Sequence, residues 1–135
     1  MPTRQEVIAQ FIPASPLVKH LGIQLQKLEP DHAELRLPYK AEIATMGDVV
    51  HGGAIASLID TAGMAAAWAD DVEPEALAGA TVSLTVDYVA AARREDLLAI
   101  ATVARRGRSL AFTDVRVTDP GGRLVAKGSL VYRFG

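Results

Sequence analysis

One stretch of this chain limits its folds more than any other. From Gly53 to Ala69, 17 residues run with apolar or small side chains at almost every position, broken only by Ser57, Asp60 and Thr61. A helix that is apolar nearly all the way round is stable in water only when other elements wrap it. Its Ala- and Gly-rich composition and the internal Asp60 make it a buried helix and not a membrane span. Asp70-Asp71 and Pro74 end it, and acids at a helix C-terminus oppose the helix dipole, so the last turn is expected to fray.

The rest of the chain supplies the wrapping. Thr3 followed by Glu6 is a capping-box pattern, and Val7, Ile8 and Phe11 follow at helical spacing. This predicts a short N-terminal helix over 3–11, stopped by Pro13 and Pro16, with a second short turn over 17–21. Gly22 to Leu28 reads as a strand. After a turn at Pro30-Asp31, His32 to Leu37 alternates, with Ala33, Leu35 and Leu37 on one face. Residues 39–50 show no period and read as a loop. Beyond the central helix, strands are predicted over 81–88, 96–105, 110–118 and 123–134, with turns at Arg106-Gly107-Arg108 and Asp119-Pro120-Gly121-Gly122. Short turns imply antiparallel neighbours. The predicted fold is α+β: a roughly six-stranded antiparallel sheet around one long central helix at about 53–69, with a short N-terminal helix.

At 135 residues without a linker, repeat or low-complexity run, residues 1–135 form a single domain. The formal charge of -2 argues against a nucleic-acid partner. The absence of Cys excludes disulfides and Cys-based zinc sites. The three histidines lack metal-ligand spacing, so no metal is expected. MPTRQEVIAQF has neither the charged nor the apolar region of a secretory leader, so a cytoplasmic location is expected, with no membrane partner.

Three features between positions 45 and 60 carry chemistry. His51-Gly52-Gly53 stands just before the helix. Backbone amides at a helix N-terminus point outward and favour negative charge, which is what an oxyanion hole requires. The same residues also fit a plain Gly-rich helix start. Asp60 is a lone carboxylate in an apolar helix, which fits either a structurally paired acid or a catalytic one. Ser57 and Thr61 are close enough in sequence to be its polar partners. The third feature is distance. Seven residues at ~1.5 Å each place Asp60 roughly 10 Å from the helix start. Atoms that react on one carbonyl must converge within ~3–3.5 Å. If both features are catalytic, they come from two antiparallel helices of two chains, and the site lies at a homodimer interface.

The string Val-Val-His-Gly-Gly-Ala-Ile-Ala-Ser-Leu-Ile-Asp-Thr-Ala, Val49 to Ala62, resembles the signature of the hot-dog-fold acyl-CoA thioesterases, in particular their phenylacetate-degradation-type branch. The predicted element order is similar to that fold over nearly the whole chain. By resemblance, Asp60 is the catalytic carboxylate, as general base or as nucleophile. The Gly52 amide, with Gly53, is the oxyanion donor, and His51 orients the loop. Relatives carry Asn or Gln six residues before this His; here that position is Thr45, or Asp48 with the loop shifted. Thr81 falls where several relatives hold the attacking water with Ser or Thr.

The family binds the CoA nucleotide through basic groups at strand turns. Arg106-Gly107-Arg108-Ser109 resembles such a turn, and Arg93-Arg94 is a second candidate, since Arg suits phosphate by charge and fork geometry. The Arg-Pro that relatives often carry before the fourth strand is missing from 88–93. The resemblance implies hydrolysis of an acyl-CoA thioester to a carboxylic acid and CoA, with no cofactor, in a homodimer or a dimer of dimers. A hot-dog hydratase or dehydratase and a non-catalytic acyl-CoA-binding module are the alternatives.

Overall fold

A computed structural model describes all 135 residues, Met1 to Gly135. Two short helices, α1 (Arg4–Ala14) and α2 (Pro16–Leu21), lead into the hairpin β1 (Gln24–Glu29) and β2 (His32–Leu37). The central helix α3 (Gly52–Ala67) follows, then β3 (Gly79–Tyr88), β4 (Leu97–Arg106), β5 (Leu110–Thr118) and β6 (Leu124–Phe134). All six strands form one sheet in the order β1-β2-β4-β5-β6-β3, antiparallel throughout. The sheet curls around α3, as the expected hot-dog arrangement requires.

Alternation builds the inner face. Ala33, Leu35 and Leu37 of β2, Leu97, Ala99 and Ala101 of β4, and Val115 and Val117 of β5 are buried with Ile55, Leu58, Ile59 and Ala62 of α3. The helix lies close against the sheet because Gly63 has no side chain. A Cβ there would stand 1.6 Å from Leu130 Cδ2.

Several expectations need correction. Pro13 does not stop α1. It sits in the last turn, where its missing N–H loses one bond, and the helix runs to Ala14 before Ser15 turns extended. Pro16 instead starts α2, at the helix position where its missing N–H matters least. The stretch 39–50 contains a short 3-10 turn, Ala41–Ile43, and a bridge between Ala44 and Val50. Of the last four strands, β4, β5 and β6 are neighbours across their short turns, whereas β3 pairs with β6, and residues 89–96 cross from it to β4.

The central helix also differs from its expectation in two ways. It is not buried all round. Gly53, Ala56, Ser57, Asp60, Thr61 and Met64 form a partly exposed stripe at helical spacing, on a side the curled sheet leaves uncovered. Its C-terminal end is not frayed either. Asp70 is buried and pairs with Arg4 at 3.0 Å and Arg106 at 3.1 Å. Arg106 also donates to the last-turn carbonyls of Ala67 (2.8 Å) and Ala66 (3.3 Å), the second of which also accepts from the Ala69 N–H at 3.1 Å. No helix is long and apolar enough to cross a membrane.

Candidate active site

The site begins at the open stripe of α3. Asp60 points toward β3, where the Thr81 hydroxyl donates to its Oδ1 at 2.7 Å. A bulge between Thr81 and Ser83 marks the start of this strand, and Thr81 faces inward opposite Tyr132. The expected local partners take other roles. Ser57 donates to the Gly53 carbonyl at 2.9 Å, and Thr61 to the Ser57 carbonyl at 2.7 Å. Both hydroxyls therefore bond back into their own helix, as Ser and Thr commonly do. Asp60 Oδ2 has no partner within the chain, so the carboxylate is held at one oxygen and free at the other.

Helix α3 begins at Gly52, with His51 as its N-cap. The Gly53 N–H donates to His51 Nδ1 at 2.7 Å. This corrects the expectation that Gly53 is a second oxyanion donor, because its amide is already taken. The Gly52 N–H has no acceptor in the chain and faces outward from the helix start. The Gly52–Gly53 peptide is fixed from both sides, since the Tyr88 hydroxyl donates to the Gly52 carbonyl at 2.7 Å. Gly52 suits this contact: a Cβ there would lie 3.2 Å from the Tyr88 ring. Tyr88, more than half exposed at the end of β3, was not among the residues singled out from the sequence. In the sequence it is only the last residue of the strand predicted over 81–88.

Asp60 lies eight residues beyond Gly52, about 12 Å along the axis. The structure therefore does not bring Asp60 and Gly52 together within one chain. Thr45 is exposed in the loop before α3, where its N–H bonds the Val49 carbonyl. Asp48, the alternative position, is engaged with Arg93 at 3.2 Å.

The basic candidates separate into two groups. Arg93 and Arg94 flank the N-terminal end of α3, where Val49 bridges to Arg93 and the Arg94 N–H bonds the Asp48 carbonyl. The turn Arg106-Gly107-Arg108-Ser109 stands at the C-terminal end. Arg106 is not available as a phosphate ligand there. Its guanidinium is occupied by Asp31, Asp70 and two helix carbonyls. Arg108 is exposed and makes no ion pair, while Gly107 and Ser109 use their backbone to close the hairpin and meet Phe134. No group of three or more His, Asp or Glu side chains is placed to hold a metal ion.

The family model of the thioesterase superfamily matches residues 47–126, the span that holds the N-cap loop, α3 and β3 to the start of β6. The chain belongs to the thioesterase superfamily. An esterase-named protein of Halobacterium salinarum is 33% identical over 117 residues, covering 84% of this chain and 77% of that one. Human acyl-coenzyme A thioesterase 13 is 28% identical over 134 residues, 97% of this chain and 94% of its own. The solved structure of the Escherichia coli PaaI protein from the phenylacetic acid degradation operon superposes with a TM-score of 0.81 over 96% of this chain and 95% of that one. At 21% identity this last likeness shows the shared hot-dog fold. Membership in the superfamily makes the chain a hydrolase acting on thioesters.

Proposed function

We propose that the chain hydrolyses acyl-CoA thioesters at a composite site, formed where two copies join their β3 strands. One observation carries the reading. The two halves of the chemistry sit at opposite ends of one edge strand: Asp60 beside Thr81 near the start of β3, and Gly52 beside Tyr88 at its end. β3 is an edge strand of ten residues with no neighbour on its outer side. Such an edge is a template for pairing with another strand. A two-fold axis pairs the edge with itself in the antiparallel sense and sets the start of one strand beside the end of the other. With strands ~4.8 Å apart, Asp60 of one copy then faces the vacant N–H of the partner's Gly52.

That geometry performs thioester hydrolysis with water as the only co-substrate. The Gly52 N–H donates to the thioester oxygen and stabilises the negative charge that develops on it. Asp60 either takes the proton of the attacking water or attacks the acyl carbon itself. Thr81 holds one carboxylate oxygen, so the other is oriented toward the reacting carbon. Collapse of the intermediate breaks the C–S bond and releases CoA; when water is the nucleophile the carboxylic acid is freed in the same step, and when Asp60 is, a mixed anhydride remains on Asp60 that water then hydrolyses to the acid and the free carboxylate. Arg108, which makes no ion pair, and Arg93, shared with Asp48, are the basic groups offered to the CoA phosphates. The human relative's name, an acyl-CoA thioesterase, supports CoA as the thiol.

The test is thiol release from a panel of acyl-CoAs, wild type beside Asp60→Asn. Asn keeps an oxygen for the Thr81 hydroxyl but lacks basicity. A fall of about 10²–10⁴-fold in kcat is expected, with the fold and dimer unchanged by melting and sedimentation. A variant that keeps the wild-type rate overturns the role of Asp60. A wild type that is monomeric and fully active overturns the two-copy site.

A further inference from the structure

The open stripe of α3 does not end at Asp60. One turn further on, Met64 borders a groove of about 240 Å³ whose other walls include Phe11, Trp68, Leu77, Gly79 and Tyr132. No charged side chain lines it. The groove is continuous with the candidate site on both sides. Met64 follows Asp60 on the same helix face, while Tyr132 is the cross-strand partner of Thr81 and Gly79 precedes Thr81 by two residues.

A second observation points to an apolar ligand. Phe11 and Leu77, 51% and 76% exposed, stand at the rim as large apolar side chains left in water. Tyr132, only 4% exposed, belongs to the lining, and its hydroxyl lies beside Gly79, where a Cβ would come within 2.4 Å of it. Burial pushes this phenol above its ordinary 10.0, so the lining carries no charge.

We infer that this groove is the acyl subsite of the hydrolase, and that it selects uncharged, apolar acyl groups of medium length. The inference rests on the composite-site reading above. At roughly 30 Å³ for each water-sized unit, the volume holds about eight non-hydrogen atoms. A terminal carboxylate would lose its hydration there and meet no cation. Each further buried methylene is expected to raise kcat/KM by about fourfold until the groove is full.

The experiment compares kcat/KM for acetyl-, octanoyl-, palmitoyl- and glutaryl-CoA in wild type, Phe11→Asp and Leu77→Asp. Both positions are exposed, and melting confirms that the variants fold. In wild type, octanoyl is expected to exceed acetyl by at least about 50-fold, with palmitoyl no better than octanoyl and glutaryl no better than acetyl. In the variants the octanoyl-to-acetyl ratio falls below about 5. An unchanged ratio in both variants, with hydrolysis intact, overturns the subsite and leaves the hydrolase reading standing. Loss of turnover for every thioester together with dissociation of the oligomer overturns it in favour of a surface between copies. Failure of wild type to release thiol from any of the four overturns the hydrolase reading and the subsite with it.

Discussion

The two ends of α3 present the same problem and receive opposite treatments. Every α-helix leaves backbone groups unpaired at its termini. At the C-terminal end these are closed by charge from distant segments. Arg106 of β4 reaches the Ala66 and Ala67 carbonyls while pairing with Asp31 and Asp70, and Arg4 of α1 pairs with Asp70 and stacks 3.7 Å over Phe134. At the N-terminal end the chain closes only what it must. His51 takes the Gly53 N–H, Tyr88 holds the Gly52 carbonyl, and the Gly52 N–H is left outward. The end that fixes the fold is saturated with partners. The end proposed to do the chemistry keeps one donor vacant in a peptide held on both sides, as a preorganised oxyanion site requires.

The comparison can be broken most forcefully at the closed end. Arg106→Ala removes two carbonyl partners and leaves Asp70 with one cation, so a loss of about 2–3 kcal/mol in urea unfolding is expected. The matching change at the open end, Arg93→Ala, removes an exposed pair and should stay within about 0.5 kcal/mol. Equal losses at the two ends would mean that the closed end is no more structural than the open one.

At the open end the effect should appear in rate. Tyr88→Phe keeps the ring against Gly52 but deletes the bond to its carbonyl. A fall of about tenfold in kcat is expected, with KM and melting temperature nearly unchanged. A rise in KM at constant kcat would instead make Tyr88 a substrate contact, and the vacant donor would not depend on it.

The smallest effect is in pH. Asp96, at the start of β4, accepts from the Tyr39 N–H and pairs with Arg36. These contacts hold its carboxyl below the ordinary 3.8, the Tyr39 N–H contributing most. A group with a lowered folded pKa adds stability above its unfolded value and loses it as pH falls through the folded one. Wild type should therefore exceed Asp96→Asn in urea midpoint at pH 6, and the gap should close as pH drops below about 3.8. A gap that does not change with pH would show that this carboxylate contributes through packing alone.

Much of the fold was legible because it repeats a simple signal. The strands predicted at 32–37, from its alternation, and at 110–118 have limits that match the structure, and the Ala-rich run marked the central helix to within two residues at either end. What misled was local. Proline and acidic residues near helix ends read as breakers, but Pro13 is tolerated in a last turn and Asp70 is neutralised by two arginines far away in sequence. The site shows the same division. The His51-Gly52-Gly53 loop and Asp60 stand out as residue types in unexpected company. Tyr88 and the engagement of Arg106 do not, since an aromatic residue at a strand end and an arginine in a turn are ordinary.

By itself, then, the sequence determined that one apolar helix would be wrapped by an antiparallel sheet, and that a carboxylate and a glycine amide would be carried on that helix too far apart to meet. Periodicity and helical rise are local properties, and a linear pattern encodes them directly. The tertiary structure decided which strand lies at the edge, which arginine is already engaged, and which side of the helix is left uncovered. Those depend on contacts between residues tens of positions apart. The placement of β3 beside β6 is the decisive one, because it leaves Thr81 and Tyr88 on an edge strand next to the open helix face that bears Asp60.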